Sequence, residues 1–151
     1  MKTISISLLL LLSVIILQAQ SNKDSLAIEK TVRDYVEGWQ AADAERVKNA
    51  VSSELKKRIV IKGKEDHYFV SDMGASLLVY ASARNKDGIR VEDKQPSEDF
   101  KLNVVILDIS GNNSSVKAWN TKYGFFDYCH LAKFGDDWKI VNVLWDYLPE
   151  E

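Results

Sequence analysis

Cysteine is nearly missing: Cys129 is the only one in 151 residues. One thiol closes no internal disulfide, so the fold must be held by its core. Histidine is as scarce, with only His67 and His130. Two widely spaced histidines and one cysteine match no common zinc pattern, so no metal and no cofactor are expected. The chain lacks an excess of basic charge. Its 20 lysines and arginines face 22 acidic residues, for a net charge of −2. That balance disfavours a nucleic-acid partner, which needs a basic footprint. A glycine-rich phosphate loop and a serine-nucleophile elbow are also absent. So is an apolar run of the roughly 20 residues that span a bilayer core.

What is present begins with an address. Met1-Lys2-Thr3 is a short positive start, Ile4 to Leu17 is apolar but for serines, and Gln18-Ala19-Gln20-Ser21 is a small or polar exit. This three-part order is that of a secretory signal peptide. Residues 1–20 are therefore read as a removed signal and residues 21–151 as one exported domain, secreted or periplasmic. No cysteine follows the apolar run, so no lipid anchor and no stable membrane anchor are expected after cleavage.

Apolar residues at Ile28, Val32, Tyr35, Val36 and Trp39 fall three and four apart, which predicts an amphipathic helix over 25–40. Asp43 starts a second, with Val47, Ala50 and Val51 on its inner face. Lys57 to Lys62 reads as a strand, Gly63-Lys64 as a turn and His67-Tyr68-Phe69 as its partner. Met73 to Ala83 suits a third helix. Residues 85–99 are mostly charged and read as a loop, with a short strand at Ile89 to Val91. Four strands follow: Leu102 to Ile109, Val116 to Tyr123, Asp127 to Phe134, and Trp138 to Tyr147. Helices placed before the main sheet imply α+β rather than alternating α/β.

Three segments carry a resemblance: Tyr35-Val36-Glu37-Gly38-Trp39 with Asp43, Asp127-Tyr128-Cys129-His130-Leu131, and Gly135-Asp136-Asp137-Trp138-Lys139-Ile140-Val141-Asn142. Their order and spacing resemble the nuclear-transport-factor-2-like superfamily, in particular its SnoaL-like and Putative lumazine-binding groups. The resemblance implies a cone-shaped domain, three N-terminal helices packed on a curved, mainly antiparallel sheet. It implies no single activity, because that fold carries isomerases, dehydratases, cyclases, binding domains and assembly modules.

Turn positions give a trial register. A three-residue loop at Gly135 to Asp137 sets Phe134 opposite Trp138, Ala132 opposite Ile140, His130 opposite Asn142 and Tyr128 opposite Leu144. A loop at Gly124 to Phe126 sets His130 opposite Asn120 and Tyr128 opposite Lys122. Alternation then puts Asn120, Lys122, Tyr128, His130 and Asn142 on one face with an apolar end that includes Trp138. With Tyr35 and Trp39 as an opposing wall, these residues compose a candidate site for a small apolar or aromatic ligand. The same residues also compose a core with a wet rim. A β-bulge would exchange the two faces.

The opposite face carries Trp119, Leu131, Val141, Cys129, Val143 and Trp145. So apolar a face predicts a homodimer through the sheet, or cover by the chain's own loop or tail. As for chemistry, His130 is the candidate catalytic base, since histidine titrates near neutrality. Lys122 and Tyr128 could stabilise an anion. The proposed pocket holds no carboxylate, which favours a non-catalytic binding domain over an isomerase- or dehydratase-like enzyme.

Overall fold

A computed structural model describes residues 22–85, 100–122 and 124–149. The segment read as a signal, residues 1–20, and the strand expected at Ile89 to Val91 lie outside the described residues. Helix α1 spans 22–40. It buries Ile28, Val32, Tyr35 and Val36, the stripe that the spacing predicts. Each such side chain contributes roughly 1.5–3 kcal/mol on burial. Its outer side is laced by i,i+4 ion pairs, Lys30–Asp34, Glu29–Arg33 and Arg33–Glu37.

Helix α2, Ala44–Ala50, is capped by Asp43, whose side chain accepts from the Arg46 amide at 3.2 Å. Gly38 lets the two helices close. A Cβ there would stand 3.1 Å from a Val47 methyl and 3.2 Å from Arg46 Cβ. Arg46 fastens the pair further, at 2.8 Å from Asp34 and 2.6 Å from Glu37.

Six strands form one open sheet: β1 Val51–Lys62, β2 Tyr68–Gly74, β3 Leu102–Ser110, β4 Asn113–Asn120, β5 Phe125–Phe134 and β6 Asp137–Tyr147. Helix α3, Ala75–Ser82, follows β2. The order across the sheet is β2-β1-β6-β5-β4-β3. Among the described residues only β1 and β6 run parallel; every other neighbouring pair is antiparallel. Register shifts between Val51 and Lys56, Ile106 and Asp108, and His130 and Leu131 bend the strands that carry them. The fold is α+β, three helices on a mostly antiparallel sheet, as the element order implies.

The core lies between the helices and one face of the sheet. Ile28, Val32, Tyr35 and Val36 from α1 meet Val116, Ala118, Cys129, Leu131, Ile140 and Val143. This corrects several expectations. Val51 opens β1 rather than closing α2, and β1 starts six residues before Lys57. Its first half, Ser52-Ser53-Glu54, is polar and does not alternate, so period-two reading misses it. The turn after β5 has two residues, with Gly135 at φ +65°, so Phe134 pairs with Asp137 and not Trp138. A bulge at Val141 absorbs the missing residue, so His130 does pair with Asn142 and Tyr128 with Leu144.

On the other side, Trp119 pairs with Phe126, and the β4–β5 connection is residues 121–124. His130 therefore faces Ser115 instead of Asn120, and Tyr128 faces Lys117 instead of Lys122. An offset of five is odd, so it moves β4 to the other face relative to β5. Leu131, Cys129 and Val143, read from sequence as an outer stripe, are the floor under the helices.

Candidate functional site

The cavity grows out of the register. On β1, Lys57 and Ile59 point inward while Arg58 and Val60 point out, as alternation requires. On β5, Asp127 is buried in series with Cys129 and Leu131. Tyr35 descends from α1 between the two strands. The three polar ends meet. Lys57 Nζ lies 2.8 Å from Tyr35 Oη and 2.5 Å from Asp127 Oδ1, and donates to both. The Tyr35 hydroxyl in turn bonds the Asp127 carboxylate. The Lys57 and Asp127 side chains are 14% and 3% exposed, so this is a largely buried ion pair.

Burial is the largest cause that pushes the Tyr35 phenol well above its usual value, and the Asp127 charge adds to it. Tyr35 is therefore a neutral phenol at physiological pH. Cys129 lies just behind. Burial first, then Asp127, raises its thiol well above the ordinary range, with Lys57 partly offsetting them. Such a thiol stays protonated and unreactive.

This polar trio borders a cavity of about 500 Å³. Val36 and Trp39 of α1 and Leu78 of α3 line the helical side. Ile59, Phe125, Trp145 and Tyr147 line the sheet side, with Ser71, Asp72 and Met73 of β2 alongside. Phe125 and Trp145 meet edge to face at 6.0 Å, and Trp145 and Tyr147 at 5.5 Å. The Lys57 ammonium sits over the Trp145 ring at 5.0 Å and the Tyr35 ring at 5.5 Å. The result is an aromatic-lined chamber with one charged but self-neutralising pole. Its size and its few convergent polar groups are those of small-molecule pockets, which run to about 300–1,000 Å³.

Of the residues that the sequence suggested, Tyr35 and Trp39 line this cavity. The others do not. Trp138 is buried in the core, where its indole N–H donates to Asp24 at 3.1 Å beside the Lys133–Asp24 pair. Asn120 is buried on the inner face, and its Oδ1 accepts from the Lys122 amide at 3.1 Å. Tyr128, His130 and Asn142 lie on the outer face of the sheet. There Arg58 donates to Asn142 at 2.5 Å, and Asn142 stands 3.2 Å from His130 Nδ1. Among the described residues no group of three metal-ligating side chains forms.

Sequence reading missed Lys57, Asp127, Trp145 and Tyr147. A signal for two of them existed. Lys57 shares the alternation of Ile59 and Ile61, and Asp127 that of Cys129 and Leu131. A charge in an otherwise apolar series is either an error of register or a site.

The comparisons with known proteins agree with this architecture. Among curated proteins none matches the chain. An NTF2-like protein of unknown function from Shewanella baltica OS155 superposes with a TM-score of 0.65 at 21% identity, over 84% of this chain and 95% of that one. A structure named Putative Scytalone Dehydratase from Novosphingobium aromaticivorans gives 0.61 at 13% identity, over 87% and 89%. A ketosteroid isomerase-like protein from Erwinia carotovora atroseptica gives 0.55 at 12%, over 83% and 96%. Identities this low establish a shared fold and nothing finer. The sequence profile of one family spans residues 23–146, both flanks of the cavity included, and the chain belongs to that family, Putative lumazine-binding.

Proposed function

We propose that this protein is an exported domain that binds a small, flat, largely apolar ligand in the α1–sheet cavity, and that it is a binder rather than an enzyme. One observation carries the reading: an aromatic-lined chamber of about 500 Å³ with a single buried polar pole, Lys57–Asp127–Tyr35. The family's name points to the same ligand shape, since lumazine is a flat nitrogen heterocycle with ring carbonyls. Catalysis is disfavoured by what holds the pole together. A general base must be free to take a substrate proton. Asp127 is instead engaged by both Lys57 and Tyr35. The alternative, an isomerase or dehydratase with His130 as base, lacks a chamber around that residue, because His130 is exposed on the opposite face.

The test is titration of lumazine into the protein, followed by tryptophan emission, because Trp39 and Trp145 line the cavity. Quenching should saturate in the wild type and fall in Trp39→Leu. Unchanged emission and an unchanged melting temperature at saturating lumazine would sink the reading.

Two further parts of the proposal rest on other features. Export rests on the Lys2 start, the apolar run and the exit at Ala19. The intact mass of the exported protein should correspond to a chain starting between Gln18 and Asn22. Homodimerisation rests on the outer face of the sheet, where Leu144, Tyr128 and Val105 are 48%, 38% and 43% exposed on β6, β5 and β3. Apolar surface of this kind marks contacts.

A further inference from the structure

We infer that the cavity selects ligands that carry no net charge, with a carbonyl or ring-nitrogen acceptor directed at Lys57 and an aromatic body among Trp39, Phe125 and Trp145. The inference rests on the binding reading above and adds the charge state and the orientation.

The pole is neutral in sum. Lys57 contributes one positive charge and Asp127 one negative, in contact and mostly buried. Tyr35 contributes none, because its phenol stays protonated. Asp72 at the mouth is half-exposed and already faces Lys56 at 3.4 Å. An ammonium has three N–H bonds. Two of Lys57's are directed to Tyr35 and Asp127, and the third makes no hydrogen bond among the described residues, with the Trp145 ring face as its neighbour. It is the donor that a ligand acceptor can take, and a bond to a charged donor is about twice as strong as a neutral one.

An anionic ligand would take the same proton but would bring a second negative charge beside Asp127. Part of its hydration would be lost, and Lys57, already neutralised by Asp127, offers no net counter-charge in return. A cationic ligand would seek the electron-rich ring faces. Lys57 already stands over two of them, at 5.0 and 5.5 Å. It fills the place a ligand cation needs and repels what approaches. Only a neutral acceptor gains the third N–H without leaving a charge uncompensated.

The test uses three naphthalene probes of nearly equal shape: 2-naphthamide, 2-naphthoate and 2-naphthylmethylammonium. Each is titrated near neutral pH by tryptophan quenching. In the wild type the amide should bind at least roughly tenfold more tightly than either charged probe. Asp127→Asn makes the pole positive, so 2-naphthoate should become the preferred probe and should raise that variant's melting temperature. Wild-type protein that binds the naphthoate as tightly as the amide overturns the inference and leaves the cavity reading standing. An Asp127→Asn protein with an unchanged order of preference also overturns it. Wild-type protein that binds none of the three overturns both.

Discussion

Lys57 and Asp127 are 70 residues apart in the chain, yet the ammonium of one lies 2.5 Å from the carboxylate of the other. Neither strand borders the other: β6 runs between β1 and β5. The pair spans that strand on the inner face, and Tyr35 closes it from above. Removing one partner leaves the other charged and buried, which typically costs about 3–5 kcal/mol. Lys57→Met should therefore lower stability by that order in urea unfolding. Lys57→Met with Asp127→Leu should recover much of the loss, because no orphan charge remains. A double variant less stable than Lys57→Met alone would show that the pair is not a coupled unit.

Leu131 and Leu144 stand on opposite faces of adjacent strands, and aspartate at each should act differently. Leu131 is 1% exposed in the core. Leu131→Asp buries an unpaired charge and should leave little folded protein by circular dichroism. Leu144 is 48% exposed on the outer face. Leu144→Asp should keep the fold and shift a wild-type dimer to monomer in light scattering. Wild type that is already monomeric at high concentration removes the outer face as an interface.

Cys129 should resist alkylation in the native protein. It is fully buried, and burial together with the Asp127 charge holds its thiol protonated. Labelling by iodoacetamide at moderate pH should follow global unfolding, with its rate rising in urea as the unfolded fraction does. Rapid labelling without denaturant would mean that the core between helices and sheet opens locally.

Asp34 sets part of the acid limit. Burial alone would raise its carboxyl, but hydrogen bonds and charge from Lys30 and Arg46 outweigh this and hold it below the ordinary 3.8. A group with a depressed folded pKa contributes stability that is complete above its unfolded pKa and is lost as pH falls through the folded value. The loss should thus fall below about pH 4. Asp34→Asn should lower stability at neutral pH and flatten the acid limb of the stability curve. Parallel curves for the two proteins below pH 4 would reject the linkage.

Gly38 is needed small. Gly38→Ala would set a methyl 3.1 Å from a Val47 methyl and 3.2 Å from Arg46 Cβ, so α2 must give by a few tenths of an ångström. Overpacking of this kind costs about 1–3 kcal/mol. A melting temperature equal to that of the wild type would mean that α2 moves without strain.

Local chemistry was legible in the sequence. The stripe Ile28, Val32, Tyr35, Val36 depends only on helical period, and the Asp43 cap only on its own first turn. Helices before strands implied the α+β layout, and Tyr35 and Trp39 reach the cavity because they lie on the stripe that faces the sheet. Faces of strands were a different matter. Alternation says which residues share a face, but which face is covered depends on register, and register was decided by two events without a sequence mark of their own. The β4–β5 connection closes at residues 121–124, and a bulge at Val141 compensates a turn one residue shorter than expected. Those two events turned His130 outward and Asp127 inward. The meeting of Lys57, Asp127 and Tyr35 needs contacts across three elements, and only the assembled sheet, with β1 laid parallel beside β6, brings them together.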